Sequence, residues 1–388
     1  MPSPRPFRCD VSADAIRDLH ERIDRARWPD QINDAAWSYG TDLDYLRELV
    51  SYWRHKFDWR RAEREINGFP QYLLDIDGLD VHFIHQRSPH PQATPLIITH
   101  GWPGSIVEFF DVIPRLTQPE KFGGRIEDAF HVVAPSLQGY GFSPPARVPG
   151  MHTDKIAQRQ SRLMAELGYE SYLAQGGDWG SAITTATGAL DPEHCKAIHL
   201  NLLMVGPPKD VPDPQALVTP SERKLLERAQ RHQRDGDAYM RLQSTKPQSL
   251  GYGLYDSPIG LCAWITEKFH DWSDCKGDIR NVISWDRLLT NVSLYWFTNS
   301  IVSSMRLYRE TAIGWGTGEI KRRPVKVPFG MAVYPGDIYH APRAWVERSF
   351  DVRHWFVAEE GGHFAAMEQP QTFAQDLWQF KRELAGTL

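Results

Sequence analysis

Apolar residues recur at helical spacing near the start of the chain, at Ile16, Leu19 and Ile23 and again at Leu46, Leu49, Val50, Trp53 and Phe57. The spacing predicts two amphipathic helices, the first capped by Ser12 and stopped before Trp28-Pro29. The period then changes. Alternating positions from Tyr72 to His85, on either side of Asp77-Gly78, predict a hairpin, and the runs Leu96-Ile-Ile-Thr99 and His131-Val-Val-Ala134 predict short buried strands. A helix over Ile156 to Leu167 ends at Gly168, a strand follows at Tyr172-Leu-Ala174, and a second helix starts at Ser181. Strands near 196–203, 329–334 and 352–358 and a last helix at 370–384 complete the pattern. Strands alternating with helices predict an α/β fold with a mostly parallel central sheet.

That rhythm breaks over residues 205–325, where helical segments carrying Tyr239, Trp264, Trp285 and Tyr295 separate two predicted strands. A βα unit needs only ~30 residues, so this stretch reads as an inserted helical lid. The expected organisation is an N-terminal helical segment over 1–70, an α/β core in two parts over 71–204 and 326–388, and the lid between them. Tryptophans in the first segment, read as exposed, suggest a homodimer surface.

Charge and composition exclude several partners. The 44 basic and 49 acidic residues nearly cancel, leaving a net charge of -5, without the cationic excess a phosphate backbone attracts. Nucleic acid is therefore not expected. No run approaches the ~18 apolar residues of a membrane span, and no apolar stretch follows the basic N-terminus as in a secretory signal. A cytoplasmic protein without a membrane partner is expected. Cys9, Cys195, Cys262 and Cys275 are scattered without a C-x-x-C pair, which points to reduced, buried thiols and to no metal site.

Candidate chemistry sits at predicted strand ends. Gly176-Gly-Asp178-Trp-Gly180 has the form G-x-nucleophile-x-G between a strand and a helix, with a carboxylate in the nucleophile's place. The alternative is a glycine-rich turn whose Asp178 caps the helix. His100-Gly-Trp-Pro-Gly-Ser105 follows an earlier strand and can offer backbone N–H groups to an oxyanion, with Trp102 and Trp179 as the natural donors. Gly361-Gly-His363 follows the last strand, and Pro335-Gly-Asp337 follows the one before it, with Glu359 and Glu360 as competing acids. Each motif alone has an ordinary structural explanation. Together, in the order nucleophile, acid, histidine, they match the α/β-hydrolase arrangement. No G-x-G-x-x-G or phosphate-binding loop accompanies them, so no cofactor is expected.

At this point the chain resembles the epoxide hydrolases of the microsomal type. His100-Gly-Trp-Pro-Gly104, Gly177-Asp-Trp-Gly180, Thr245-Lys-Pro247, Asp256-Ser-Pro258 with Glu267-Lys-Phe269, and Gly361-Gly-His-Phe-Ala-Ala366 carry the resemblance across most of the sequence. It implies an α/β-hydrolase fold with a lid, Asp178 as nucleophile, and His363 with Asp337 activating water. It also implies that two lid tyrosines, Tyr239 and Tyr308, bind the oxygen of a small apolar epoxide, with Tyr295 as the rival for the second place. The family's acid is glutamate in some relatives and aspartate here. Lacking an anchor, the chain resembles the soluble microbial members. Two other functions compete: a haloalkane dehalogenase, although relatives with H-G-N-P place Asn where Trp102 stands, and a non-catalytic ligand-binding relative.

Overall fold

Strands buried on both faces must satisfy their backbone groups through one another, and the apolar runs do so in a single sheet. The computed structural model describes residues 3–385. Among them nine strands pair in the order β1-β2-β3-β5-β4-β6-β7-β8-β9. These are β1 (Arg5–Pro6), β2 (Gln71–Ile76), β3 (Leu79–Gln86), β4 (Thr94–Thr99), β5 (Phe130–Pro135), β6 (Tyr172–Gly176), β7 (Cys195–Leu200), β8 (Pro328–Val333) and β9 (Asp351–Val357). From β5 through β4 to β9 every pairing is parallel, while β1, β2, β3 and β5 pair antiparallel. The predicted α/β sheet is therefore present. The Asp77-Gly78 turn closes the β2–β3 hairpin with both residues at positive φ (52° and 77°), as a two-residue turn of matching twist requires.

The strand order makes a crevice. After β4 the chain moves to one side for β5 and then to the other side of β4 for β6, so the loops leaving β4 and β6 diverge from adjacent ends. Thr99 and Gly176 are register partners, which brings His100–Ser105 and Gly177–Gly180 out side by side. Six helices between β7 and β8, from Pro220–Asp235 to Ile301–Thr317, form the inserted region. None of the described helices is long and apolar enough to cross a membrane.

The N-terminal helices Ala13–Asp24 and Leu43–His55 form where the spacing predicts them, and Ser12 accepts a hydrogen bond from the Ala15 N–H at 3.1 Å. Several elements escaped the sequence pattern, among them the short helix Val112–Thr117. Trp59–Ile66 is a further helix capped by Asp58, and Arg5–Pro6 adds an edge strand to β2. The expectation of exposed tryptophans is corrected. Trp53 and Trp59 are buried, and Trp28 and Trp37 are half-buried. Trp53 Nε1 donates to Ser293 Oγ at 2.9 Å and Trp37 stacks on His270 at 3.7 Å, so these indoles tie the N-terminal helices to the inserted ones. All four cysteines are free and buried.

A buried polar cluster binds the last helix, Pro370–Leu384, to the sheet. Asp376 lies 2.6 Å from His354 Nε2 and 2.9 Å from His199 Nε2, and Glu383 meets His354 Nδ1 at 2.8 Å. Burial alone would lower the His354 pKa, but Asp376 and Glu383 outweigh it and raise it. Its two ring nitrogens thus both face carboxylates, the arrangement that suits an imidazolium. Asp376→Ala, which leaves that cation without its buried partner, is expected to cost about 3–5 kcal/mol in denaturant unfolding at neutral pH. A loss below ~1 kcal/mol would remove the cluster from the stability account.

Candidate active site

Asp178 occupies a turn that ordinary side chains avoid, at φ 49° and ψ −126° between β6 and the helix Trp179–Leu190. Such strain persists only where the surroundings impose it. Here the flanking glycines permit it: a Cβ on Gly180 would fall 2.0 Å from the Thr99 carbonyl oxygen, and one on Gly176 would fall 2.2 Å from that of Gly180. The turn projects the carboxylate into the crevice beside β4. There the Trp102 N–H donates to Asp178 Oδ1 at 2.8 Å. Trp179, the other predicted donor, is the first residue of the helix, where an N–H has no partner inside the helix.

The loop carrying Trp102 is held from several sides. Buried His100 donates from Nδ1 to the Gly101 carbonyl (2.9 Å) and accepts at Nε2 from the Leu137 N–H (3.1 Å), which sets its tautomer. Burial pushes its pKa down to about 4, so it stays neutral. Asn291 donates to the Pro103 carbonyl and the Tyr295 hydroxyl to that of Gly104, both at 2.8 Å. The sequence reading passed over these anchors, which come from a helix far along the chain.

His363 stands between two carboxylates. Its Nδ1 lies 2.7 Å from Asp337 Oδ1 and its Nε2 lies 3.3 Å from Asp178 Oδ2. Asp337 is 1% exposed and also accepts from the Ile338 N–H at 2.6 Å. Burial disfavours the imidazolium, but Asp337 and then Asp178 reverse this and hold the His363 pKa well above its usual value. Glu359 and Glu360, the competing acids, are exposed.

Aromatic rings surround the carboxylate. Tyr239 stacks on Trp102 (5.5 Å, 11°), while Tyr308 meets Trp102 edge-on at 5.8 Å and Trp179 at 4.7 Å. The Tyr239 and Tyr308 rings are 6.1 Å apart. Burial, followed for Tyr239 by the Asp178 charge and for Tyr308 by Tyr239 and then Asp178, raises both phenol pKa values well above 10. Both therefore stay protonated at neutral pH. Tyr295 differs, because its hydroxyl is engaged by Gly104.

For a metal, one grouping of ligand-type side chains occurs among the described residues: His199, His354 and Asp376. It is the cluster beside the last helix, and its 2.6 Å and 2.9 Å separations are those of groups sharing protons.

Residues 4–109 match the model of the epoxide hydrolase N terminus, and residues 94–251 match that of the α/β-hydrolase fold. The chain is 44% identical to a protein of Stigmatella aurantiaca, covering 98% of this chain and 85% of that one. It is 37% identical to epoxide hydrolase 1 of Oryctolagus cuniculus, over 97% of this chain and 88% of the relative. Among solved structures, juvenile hormone epoxide hydrolase from Bombyx mori superposes with a TM-score of 0.90 at 31% identity, covering 100% of this chain and 96% of the other.

Proposed function

The chain belongs to the epoxide hydrolase family of the α/β-hydrolase fold, and on that premise we propose that it opens an apolar epoxide to a vicinal diol through an ester on Asp178. The observation that carries this reading is His363 bridging Asp178 and the buried Asp337. In the first step Asp178 displaces the epoxide oxygen from carbon, an attack that is slow unless the departing alkoxide receives a proton or a hydrogen bond. Tyr239 and Tyr308, both protonated, supply it from the inserted helices, which act as the lid over residues 205–325.

Ester formation also changes His363. Neutralising Asp178 removes one of the two charges that hold the imidazolium, so the ring can release its proton and become a base. That proton goes to the phenolate left when one tyrosine protonated the alkoxide, so the count closes inside the cavity. Water then loses a proton to His363 Nε2 and adds to the ester carbonyl. As the adduct collapses the bond to the diol oxygen breaks, His363 hands that oxygen its proton, and the remaining carboxyl proton passes to His363 to restore the carboxylate–imidazolium pair. Asp337 keeps the ring oriented, and the Trp102 and Trp179 N–H groups stabilise the oxyanion. These steps use the chain's own side chains and water.

Incubation with a simple aryl epoxide is expected to yield the diol, while a haloalkane releases no halide. Halide release without diol would favour the dehalogenase reading, and neither product would favour the binding protein. Tyr239→Phe and Tyr308→Phe are each expected to slow ester formation by about 10²-fold, and the double variant by about 10⁴-fold. Rapid-quench kinetics measure this. A greater loss in Tyr295→Phe than in Tyr308→Phe would transfer the second donor's role to Tyr295.

A further inference from the structure

Glu267-Lys-Phe269 carries part of the resemblance, yet the steps above give none of its residues a task. Lys268 is the unusual member. It sits in the inserted helix Pro258–Trp272 and is only 3% exposed, and a lysine so deeply buried needs compensation for the water it gives up. One part comes from Glu267, whose carboxylate lies against the ammonium. The rest comes from aromatic rings.

Trp264 and Trp272 stand one turn before and one turn after Lys268, so the three share a face of the helix. Lys268 Nζ is 5.2 Å from the centre of the Trp264 ring and 5.9 Å from that of Trp272. The ring of Tyr239, on the helix Ala238–Thr245, is closer, at 4.6 Å. That ring also stacks on Trp102, whose N–H meets the nucleophile. Among the described residues no Lys or Arg stands over the Tyr308 ring.

We propose that Lys268 is a positioning residue that acts through Tyr239: its ammonium, held over the ring, favours phenolate over phenol and makes Tyr239 the group that gives its proton to the epoxide oxygen. The inference rests on the covalent reading above. As Asp178 bonds to the epoxide carbon, the carbon–oxygen bond breaks and the Tyr239 O–H proton passes to the departing oxygen. The charge left behind is shared between the phenolate oxygen and its ring, so the ring attracts the cation more strongly as the proton leaves. A contact that strengthens along the step lowers its barrier. When His363 returns a proton to Tyr239, the weaker contact is restored. Tyr308, without a cation, donates a hydrogen bond and keeps its proton.

The other groups around Tyr239 mostly oppose its ionisation. Burial raises its pKa most, followed by Asp178 from the nucleophile turn and Tyr339 from the acid loop; Tyr308 lowers it, and Glu267 adds a further rise. His232, from the first inserted helix, meets the ring at 6.4 Å, and burial, with the charges of His363 and Lys268, lowers its pKa to about 4, so it is neutral. Lys268 therefore brings to this ring a positive charge that the reaction does not consume.

Single-turnover rapid-quench kinetics with intact-mass analysis test this in wild type, Lys268→Met, Lys268→Arg, Glu267→Gln, Tyr239→Phe and His363→Gln. Lys268→Met keeps an unbranched stem without the charge, and is expected to slow ester formation by about 10- to 30-fold while leaving ester hydrolysis at the wild-type rate. Lys268→Arg recovers part of the loss. Glu267→Gln breaks the ion pair but leaves the cation over the ring, and does not slow ester formation. In the Tyr239→Phe background Lys268→Met brings no further loss. The deficit in Lys268→Met also shrinks for a trifluoromethyl epoxide relative to its methyl counterpart, because the departing oxygen then needs a proton less. A merely structural role would slow both substrates alike. Wild-type ester formation in Lys268→Met, or an undiminished further loss in the Tyr239→Phe background, overturns the proposal. If Lys268→Met does not fold, Glu267→Gln decides: ester formation slowed about tenfold or more overturns the proposal, and formation at the wild-type rate supports it. Ester trapped in His363→Gln together with unslowed formation in Lys268→Met defeats this inference alone, whereas no adduct in any variant defeats the covalent reading and this inference with it.

Discussion

Asp178→Asn is expected to abolish turnover, lowering the rate by at least about 10⁴-fold, while leaving the fold intact. The amide is nearly isosteric, and its oxygen can still accept from the Trp102 N–H that now meets Oδ1 at 2.8 Å. It is nevertheless a poor nucleophile, because its nitrogen lone pair is delocalised and its oxygen carries no charge. The substitution also removes one of the two carboxylates beside His363, so the imidazolium loses support and the ring's pKa falls. Circular dichroism and thermal unfolding check the fold, and diol formation checks the activity. Deamidation would regenerate Asp178, so peptide mass spectrometry must accompany the assay. Substantial activity in a verified asparagine variant would place the nucleophile elsewhere.

His363→Gln is expected to divide the reaction at its midpoint. On the proposed mechanism ester formation uses the Asp178 carboxylate and the phenols, whereas breakdown uses a base, and His363 Nε2 stands 3.3 Å from Asp178 Oδ2. Glutamine fills the space without accepting a proton, so the ester persists and the protein's mass rises by one substrate molecule. A complementary experiment follows the oxygen atoms. With enzyme in molar excess over epoxide in heavy-oxygen water, the first-turnover diol carries oxygen from Asp178 and is largely unlabelled, while the label enters the Asp178 peptide. A fully labelled first-turnover diol, with no adduct in the glutamine variant, would mean that water attacks the epoxide directly.

The local signals were legible because each depends on residues close together in the chain. Glycines around Asp178 announce a turn whose sterics tolerate nothing larger, and the backbone there does adopt positive φ. The hairpin at Asp77-Gly78 and the buried parallel strands follow from equally local rules of twist and burial. The third N-terminal helix was less visible, since Trp59–Ile66 is short and crowded with Arg and Glu, and its buried face includes Glu63.

The amino-acid sequence by itself determined the alternation of strands and helices, the strained turn at Asp178 and the order of the charged residues along the strand ends, because backbone geometry and side-chain period are set within a few residues. Tertiary structure alone decided what those groups experience. Tyr295 and Tyr308 are equivalent as letters in a helical region, and only packing commits one hydroxyl to the Gly104 carbonyl and brings the other ring against Trp102 and Trp179. Glu108 likewise reads as an ordinary charge, and burial, with Asp178 adding to it and His363 opposing it, pushes its carboxyl up to about 8. The dielectric around a group and the partners available to it come from segments far apart in the chain, and no local pattern records them.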